Sequence, residues 1–241
     1  PQDARYWDED DLLAEQRRQL DVCHGCRLCW NICPAFPALF DLTDSVDGDF
    51  TQIGSVDLEP VESLCYQCKL CWVVCPYTDP HDYRLDIPTL FMRSKFVRTR
   101  RSGAKLPDKL LADTDRLGKA SSALAPVSNI INRVGVSRRA IELFAGVHRD
   151  APLPEFHRQT FESWFRKTYG KVMQPSANPS RRVAFFMTCT VNYNAPEIGR
   201  ACIEVLRHNN VEVVVPEQRC CGMPMMEAGL LDGFNNKMAF N

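Results

Sequence analysis

The chain has 241 residues, 45% hydrophobic and 24% charged, with a net charge of −1 and twelve cysteines. That length holds one large or two ordinary domains, and the balance of apolar to charged residues is that of a globular protein, which excludes a disordered chain. No apolar run approaches the roughly 18 residues of a membrane span. The even charge hides a division. Residues 1–90 carry 6 Lys and Arg against 17 Asp and Glu, whereas residues 91–182 carry 19 against 7. An acidic head is therefore joined to a basic middle. That middle either faces an anionic membrane or acidic partner, or balances the head within the same fold.

In chain order, the first predicted element is a helix over Asp8–Leu20, with acids at its start and Arg17 and Arg18 at its end, as the helix dipole favours. Two copies of one cysteine pattern follow. Cys23, Cys26, Cys29 and Cys33 precede Pro34, and Cys65, Cys68, Cys71 and Cys75 precede Pro76. Each reads C-x2-C-x2-C-x3-C-P, the run that holds [4Fe–4S] clusters in two-cluster ferredoxins, where the fourth cysteine ligates the other cluster. The expected ligand sets are Cys23, Cys26, Cys29 and Cys75 for cluster one, and Cys65, Cys68, Cys71 and Cys33 for cluster two. Zinc prefers two separated pairs, and disulfides need an oxidising compartment and do not explain a repeated triple. No charged-then-apolar leader follows Pro1-Gln2-Asp3, which with the cysteines points to a reducing compartment. The expected location is cytoplasmic, with a peripheral place at the inner face of the cell membrane as the second option.

The 34–64 bridge reads as loop-like, with Asp41, Asp44, Asp47, Gly48 and Asp49, though its length allows helices, and a helix runs from Pro60 into Cys65. His24 sits between two ligands, where a charge could tune a cluster. Trp30, Tyr66, Trp72 and Tyr77 flank the cysteines and are expected to shield them from water. Pro88–Arg101 is a predicted helix with an apolar side and a cationic side, docked on its own domain or lying on a membrane. Residues 107–146 read as short helices broken at Pro126 and Gly135. Residues 155–169 place Phe161, Trp164 and Phe165 at helical spacing, as core or partner contacts. Residues 174–180 read as a linker. Beyond it, Arg182–Met187 and Val211–Val215 are predicted parallel strands, the second buried on both faces, joined by a helix over Pro196–Asn209. Cys202 inside that helix reads as a small buried hydrophobe. Cys189 and Cys220-Cys221-Gly222 fall just past the two strands, where open α/β sheets place their sites.

These last residues carry a resemblance. One cysteine followed some thirty residues later by Cys-Cys-Gly is similar to the cysteine-rich domain of heterodisulfide reductase catalytic subunits and their relatives. The ferredoxin runs, Asp113-Thr114-Asp115-Arg116-Leu117-Gly118, Ala125-Pro126-Val127-Ser128-Asn129 and Val191-Asn192-Tyr193-Asn194 narrow it. From about Leu20 onward the chain resembles the iron–sulfur subunits of anaerobic glycerol-3-phosphate dehydrogenases. The resemblance implies an electron relay from a flavoprotein dehydrogenase toward a quinone or another redox partner, with Cys189, Cys220 and Cys221 as ligands of a third cluster. The family domain carries further cysteines after Cys-Cys-Gly, so a longer gene is expected. The rival functions are thiol–disulfide catalysis at the Cys-Cys-Gly site and electron donation to a di-iron, peroxide-handling protein. No glycine-rich phosphate loop occurs, which argues against a nucleotide site, and nothing supports nucleic-acid binding.

The expected fold is α+β and multi-domain. A mainly helical two-cluster ferredoxin domain spans residues 1–100, a basic helical connecting segment 101–180, and the first part of a parallel α/β cysteine-rich domain 181–241.

Overall fold

The computed structural model describes residues 2–175 and 178–241, so residues 176 and 177 of the expected linker lie outside the described residues, as does Pro1. The protein is mostly helical and divides into two compact units, Pro1–Ala104 and Lys105–Asn241. Of the expected segments 101–180 and 181–241, residues 105–180 fall with 181–241 in the second unit, and residues 101–104 in the first.

In the first unit, α1 (Glu9–Cys26) starts where the Asp8 carboxylate accepts the Asp11 N–H at 2.8 Å. It runs six residues past the expected end, carrying Cys23 and Cys26 on its last turn, and stops at Arg27 in the left-handed conformation (φ 52°). The 34–64 bridge is largely helical rather than loop-like: α2 spans Ala35–Ser45 and α3 Ser55–Ser63. Pro60 lies inside α3 instead of opening it. The true start is Gly54, whose N–H is accepted by Asp57 at 2.8 Å. The short α4 (Leu70–Val74) lies within the second cysteine run. The last helix of the unit, α5 (Ile87–Ser102), is opened by Asp86 accepting from Thr89 N at 3.0 Å and packs on α1.

Apolar residues of α1, α2, α3 and α5 form one core, with Leu20, Phe36, Leu39, Phe40 and Leu58 almost wholly buried. The amphipathic reading of α5 resolves to docking. Leu90, Phe91, Phe96 and Val97 are buried, and Arg93, Arg98 and Arg101 pair with Asp11, Glu62 and Glu9 at 2.8, 2.8 and 2.7 Å. Part of the basic middle thus neutralises the acidic head.

The second unit opens with four short helices: α6 (Leu106–Ala112), α7 (Thr114–Ala123), α8 (Ala125–Arg133) and α9 (Gly135–Ala145). Then α10 (Phe161–Tyr169) begins at Thr160, which accepts from Ser163 N at 3.1 Å. The aromatic stripe is core: Phe161 and Phe165 are fully buried with Met173, Ile203 and Val213.

The sheet has order β1 (Val172–Met173), β3 (Val211–Val214), β2 (Arg181–Ala184). β2 pairs parallel with β3 from Arg181↔Val211 to Ala184↔Val214, and α11 (Pro196–His208) connects them. The antiparallel edge β1 was not expected; two residues are too short to show a period. Nor is β3 buried on both faces. Val211 and Val213 are buried, while Glu212 reaches Arg182 at 2.7 Å and Gln174 at 3.1 Å. Cys202 is exposed, contrary to its reading as a buried hydrophobe. Two apolar faces compete on α11, and the one containing Gly199 turns inward because a side chain there would collide with Phe161 and Val191.

Glu62 is the costly group of the first unit. Its side chain is wholly buried, accepting from Gln16 Nε2 at 3.0 Å and Arg98 Nη1 at 2.8 Å. Burial raises its pKa from the ordinary 4.5, against the opposing hydrogen bonds of Ser94 and Arg98. Its charge therefore weighs against folding as pH rises from 4.5 through the raised value, and that part of the stability returns on acidification. Glu62→Ala strands the buried Gln16 amide and leaves the half-buried Arg98 to Glu59 alone, and should cost about 3 kcal/mol. Glu62→Gln should cost less and flatten this pH slope; urea midpoints followed by circular dichroism at several pH values check both.

Candidate metal centres

Each cysteine run is shaped by a left-handed residue at the same place. Arg27 (φ 52°) follows Cys26 and Lys69 (φ 59°) follows Cys68, with Gln67 (φ 54°) before Cys68. Non-glycine residues there cost about 1–2 kcal/mol each. The bend turns the chain sharply between the second and third cysteines of both runs. Arg27 is held by Asp44 and by donating from Nε to the His24 carbonyl at 3.0 Å.

The turns bring the two runs together. Cys23, Cys26 and Cys29 line a cavity with Cys75, walled by Phe40, Tyr77 and Leu85. A second cavity meets it, where Cys23, Cys29 and Cys75 face Cys71, Phe36, Trp72 and Ile87. Cys29 Sγ lies 3.9 Å from the Cys71 carbonyl oxygen. Cys33 falls on the other side, near Cys65 and Cys71.

Burial, then the repulsion of neighbouring thiols, pushes Cys23 up to about 12, Cys29 to about 11 and Cys71 to about 12. Cys65 is raised mainly by burial. Thiols so placed lose protons to a cationic centre and to little else. Among the described residues no three His, Cys, Asp or Glu side chains converge closely enough for one metal ion. Soft donors spread around apolar cavities fit a multinuclear iron–sulfur group better than a single ion such as zinc.

The flanking residues divide. Trp72 and Tyr77 wall the cavities. Trp30 stacks on Phe40 with ring centres 5.6 Å apart, whereas Tyr66 is 69% exposed and shields little. His24 bonds Thr43 Oγ1 at 3.1 Å and meets the Phe50 ring edge-on, so its ring links α1 to the end of α2 and to the segment after it.

In the second unit Cys189 follows β2 and opens a π-helical turn, Thr190–Asn194, a local rewinding common at functional sites. Cys220 follows β3. The two thiols act on each other: Cys189 beside it holds the Cys220 thiol below its usual range, and Cys189 is raised in turn. Cys221, the third expected ligand, is exposed. Beside Cys189 lies a cavity of about 490 Å³, walled by Asp115, Tyr193, Gln218 and Lys237.

Sequence reasoning did not single out Asp115 or Lys237 as site residues. The Asp115 carboxylate accepts the Cys220 N–H at 3.1 and 3.2 Å and pairs with Lys237, whose side chain is 7% exposed. The Asp-Thr-Asp-Arg-Leu-Gly segment was the available signal. Gly118 belongs to it because the Tyr193 ring lies where a side chain would be: a Cβ there would run into Tyr193 Cδ2.

Comparison with known proteins agrees with this division. Residues 16–102 match the family described as Citrate utilization protein B Fer4-like domain, and residues 183–239 match Cysteine-rich domain. The chain is similar to the C subunit of anaerobic glycerol-3-phosphate dehydrogenase of Escherichia coli K12, 30% identical over 154 residues, covering 64% of this chain and 37% of that protein. It is also similar to the B subunit of fumarate reductase (CoM/CoB) of Methanothermobacter marburgensis, 44% identical over 64 residues, 26% of this chain and 13% of the other. Lactate utilization protein A of Bacillus pumilus is 43% identical over 49 residues, 20% of this chain and 21% of the other. The chain thus spans little more than a third of the first of these relatives. No solved structure matches.

Gly118→Ala should force the Tyr193 ring aside and cost about 1–3 kcal/mol, as overpacking does. The check is thermal unfolding together with Tyr193 fluorescence or ring NMR signals; an unshifted Tyr193 would show that the ring does not lie over α7.

Proposed function

We propose that this chain is an iron–sulfur electron-transfer subunit, passing electrons between a flavin dehydrogenase of the glycerol-3-phosphate type and a quinone or other redox partner. The observation that carries it is the meeting of Cys75 with Cys23, Cys26 and Cys29 around one apolar cavity. Cys23, Cys26, Cys29 and Cys75 would hold one [4Fe–4S] cluster, and Cys65, Cys68, Cys71 and Cys33 the other. A bound cluster of this type supplies reversible one-electron exchange at a potential set by charge, hydrogen bonding and exposure.

The protein's own part is positioning and exclusion. Phe36, Phe40, Leu85 and Ile87 keep water from the thiols and lower the local polarity. Gln67 Nε2 lies 3.5 Å from Cys65 Sγ, where donation would stabilise negative charge on the sulfur. Because Cys71, assigned to the second cluster, borders a cavity with Cys23, Cys29 and Cys75 of the first, the two clusters would adjoin, as electron passage requires. The names of the relatives support the reading, since they are subunits of a dehydrogenase and a reductase.

A second reading has its own observation. The neighbouring Cys189 and Cys220 thiols, with Cys189 lining a polar cavity, suit either a third iron–sulfur site shared with Cys221 or thiol–disulfide chemistry. A relay shows reversible one-electron signals and no disulfide turnover, whereas an enzyme loses turnover in Cys220→Ser.

The crossed ligand sets make a sharper prediction. Cys33→Ser should perturb the spectrum of the cluster held by Cys65, Cys68 and Cys71, and Cys75→Ser that of the other. Electron paramagnetic resonance of the two reduced variants checks this; loss confined to the cluster of the mutated run contradicts it.

A further inference from the structure

The two cysteine runs share spacing and backbone, but their sulfurs do not share surroundings. Among the described residues, Gln67 is the one side chain whose N–H points at a sulfur of either run. Its Nε2 lies 3.5 Å from Cys65 Sγ, and the residue is 6% exposed, held on a left-handed backbone. The Gln67 Oε1 is buried without a donor. An amide left half-satisfied in the interior is costly unless charge on the sulfur offsets it.

Positive charge favours the same side. Lys95, half-buried on α5, acts on Cys65, and it forms no ion pair among the described residues. Glu62, the buried carboxylate nearby, is already held by Arg98 at 2.8 Å. The backbone N–H groups of Gln67 and Trp72 also favour charge on Cys65 and Cys71.

The first set lacks this supply. Its cation, Arg27, borders the cavity but is paired with Asp44. Lys69, at the matching left-handed place of the second run, forms no ion pair among the described residues. Cys29 is the buried one of the eight thiols, and what acts on it is burial and three other thiols, Cys75, Cys26 and Cys33.

Reduction of a cluster adds one electron, and so one negative charge, and breaks no bond. Hydrogen bonds to the sulfurs, nearby positive charge and solvent exposure each stabilise that added charge and raise the potential. All three differences point the same way. We propose that the cluster of Cys65, Cys68, Cys71 and Cys33 has the higher potential of the two, raised by Gln67 and Lys95, so that the singly reduced protein holds its electron there. An electron that enters from the flavin donor through the first site then passes downhill to the second. This rests on the reading that the two runs hold iron–sulfur clusters, and deepens it by ordering them.

The test is a potentiometric titration of the intact protein with dithionite, followed by electron paramagnetic resonance, with iron and sulfide measured on each sample. Two one-electron waves are expected, at least about 59 mV apart, a tenfold difference in the ratio of reduced to oxidised cluster. Cys68→Ser should alter the upper wave and Cys26→Ser the lower. Gln67→Leu and Lys95→Gln should each lower the upper wave by at least about a threefold change in that ratio, and Gln67→Glu by more. Asp44→Asn frees Arg27 and should raise the lower wave, narrowing the gap. Lys95→Gln and Asp44→Asn disturb no buried amide, so they carry the test if the Gln67 variants do not fold. An upper wave altered by Cys26→Ser, or one that Lys95→Gln and the folded Gln67 variants leave in place, overturns the proposal while the clusters stand. Protein that holds no iron and sulfide overturns it together with the reading beneath it.

Discussion

Buried thiols from two distant runs, forced close enough to repel one another, are the constraint on which the first unit depends. Cys23, Cys29 and Cys71 sit where neither water nor a counter-charge stabilises a thiolate. Such a place is stable once a cationic group satisfies the sulfurs, and metal binding is then folding energy. The left-handed backbone at Arg27 and Lys69 belongs to the same constraint, since equal strain at equal positions points to a bend that a shared ligand geometry requires. The surrounding helices supply the frame. α1 ends on two of the thiols, α2 begins just after Cys33, and α5 closes the core while its arginines offset the acidic surface.

The second unit turns on a different interaction. Asp115 accepts the backbone N–H of Cys220 and is itself fixed by Lys237 near the end of the chain. One ion pair therefore ties α7 and α12 (Leu231–Phe240) to the loop carrying the Cys-Cys-Gly sequence. Burying Lys237 is tolerable because Asp113 and Asp115 surround it.

Much of this is legible in the residues, unevenly. The cysteine runs announce their chemistry because ligand spacing is fixed by the group they hold. The helices α1, α5 and α11 and the pairing of β2 with β3 follow from caps and periodicity. The bridge between the runs misleads, because its aspartates suggest loops where Asp41 and Asp44 lie within α2 and Asp49 caps the turn Phe50–Gln52. Pro60 suggests a helix start and lies within one. Cys202 fails for a reason internal to α11: two faces are equally apolar, and only the absent side chain of Gly199, met by Phe161, decides which turns inward. The polar frame of the Cys189 site is the least legible, since an Asp–Lys pair formed across more than a hundred residues leaves no local pattern.

The central claim is that the two cysteine runs jointly build two adjoining iron–sulfur sites. It is tested most directly by electron paramagnetic resonance of the fully reduced protein, with iron and sulfide measured on the same sample. The account predicts about eight iron atoms per chain with both sites filled. It also predicts a spectrum split or broadened by magnetic coupling between neighbouring clusters. Two sharp, independent signals, or zinc in place of iron, would contradict it.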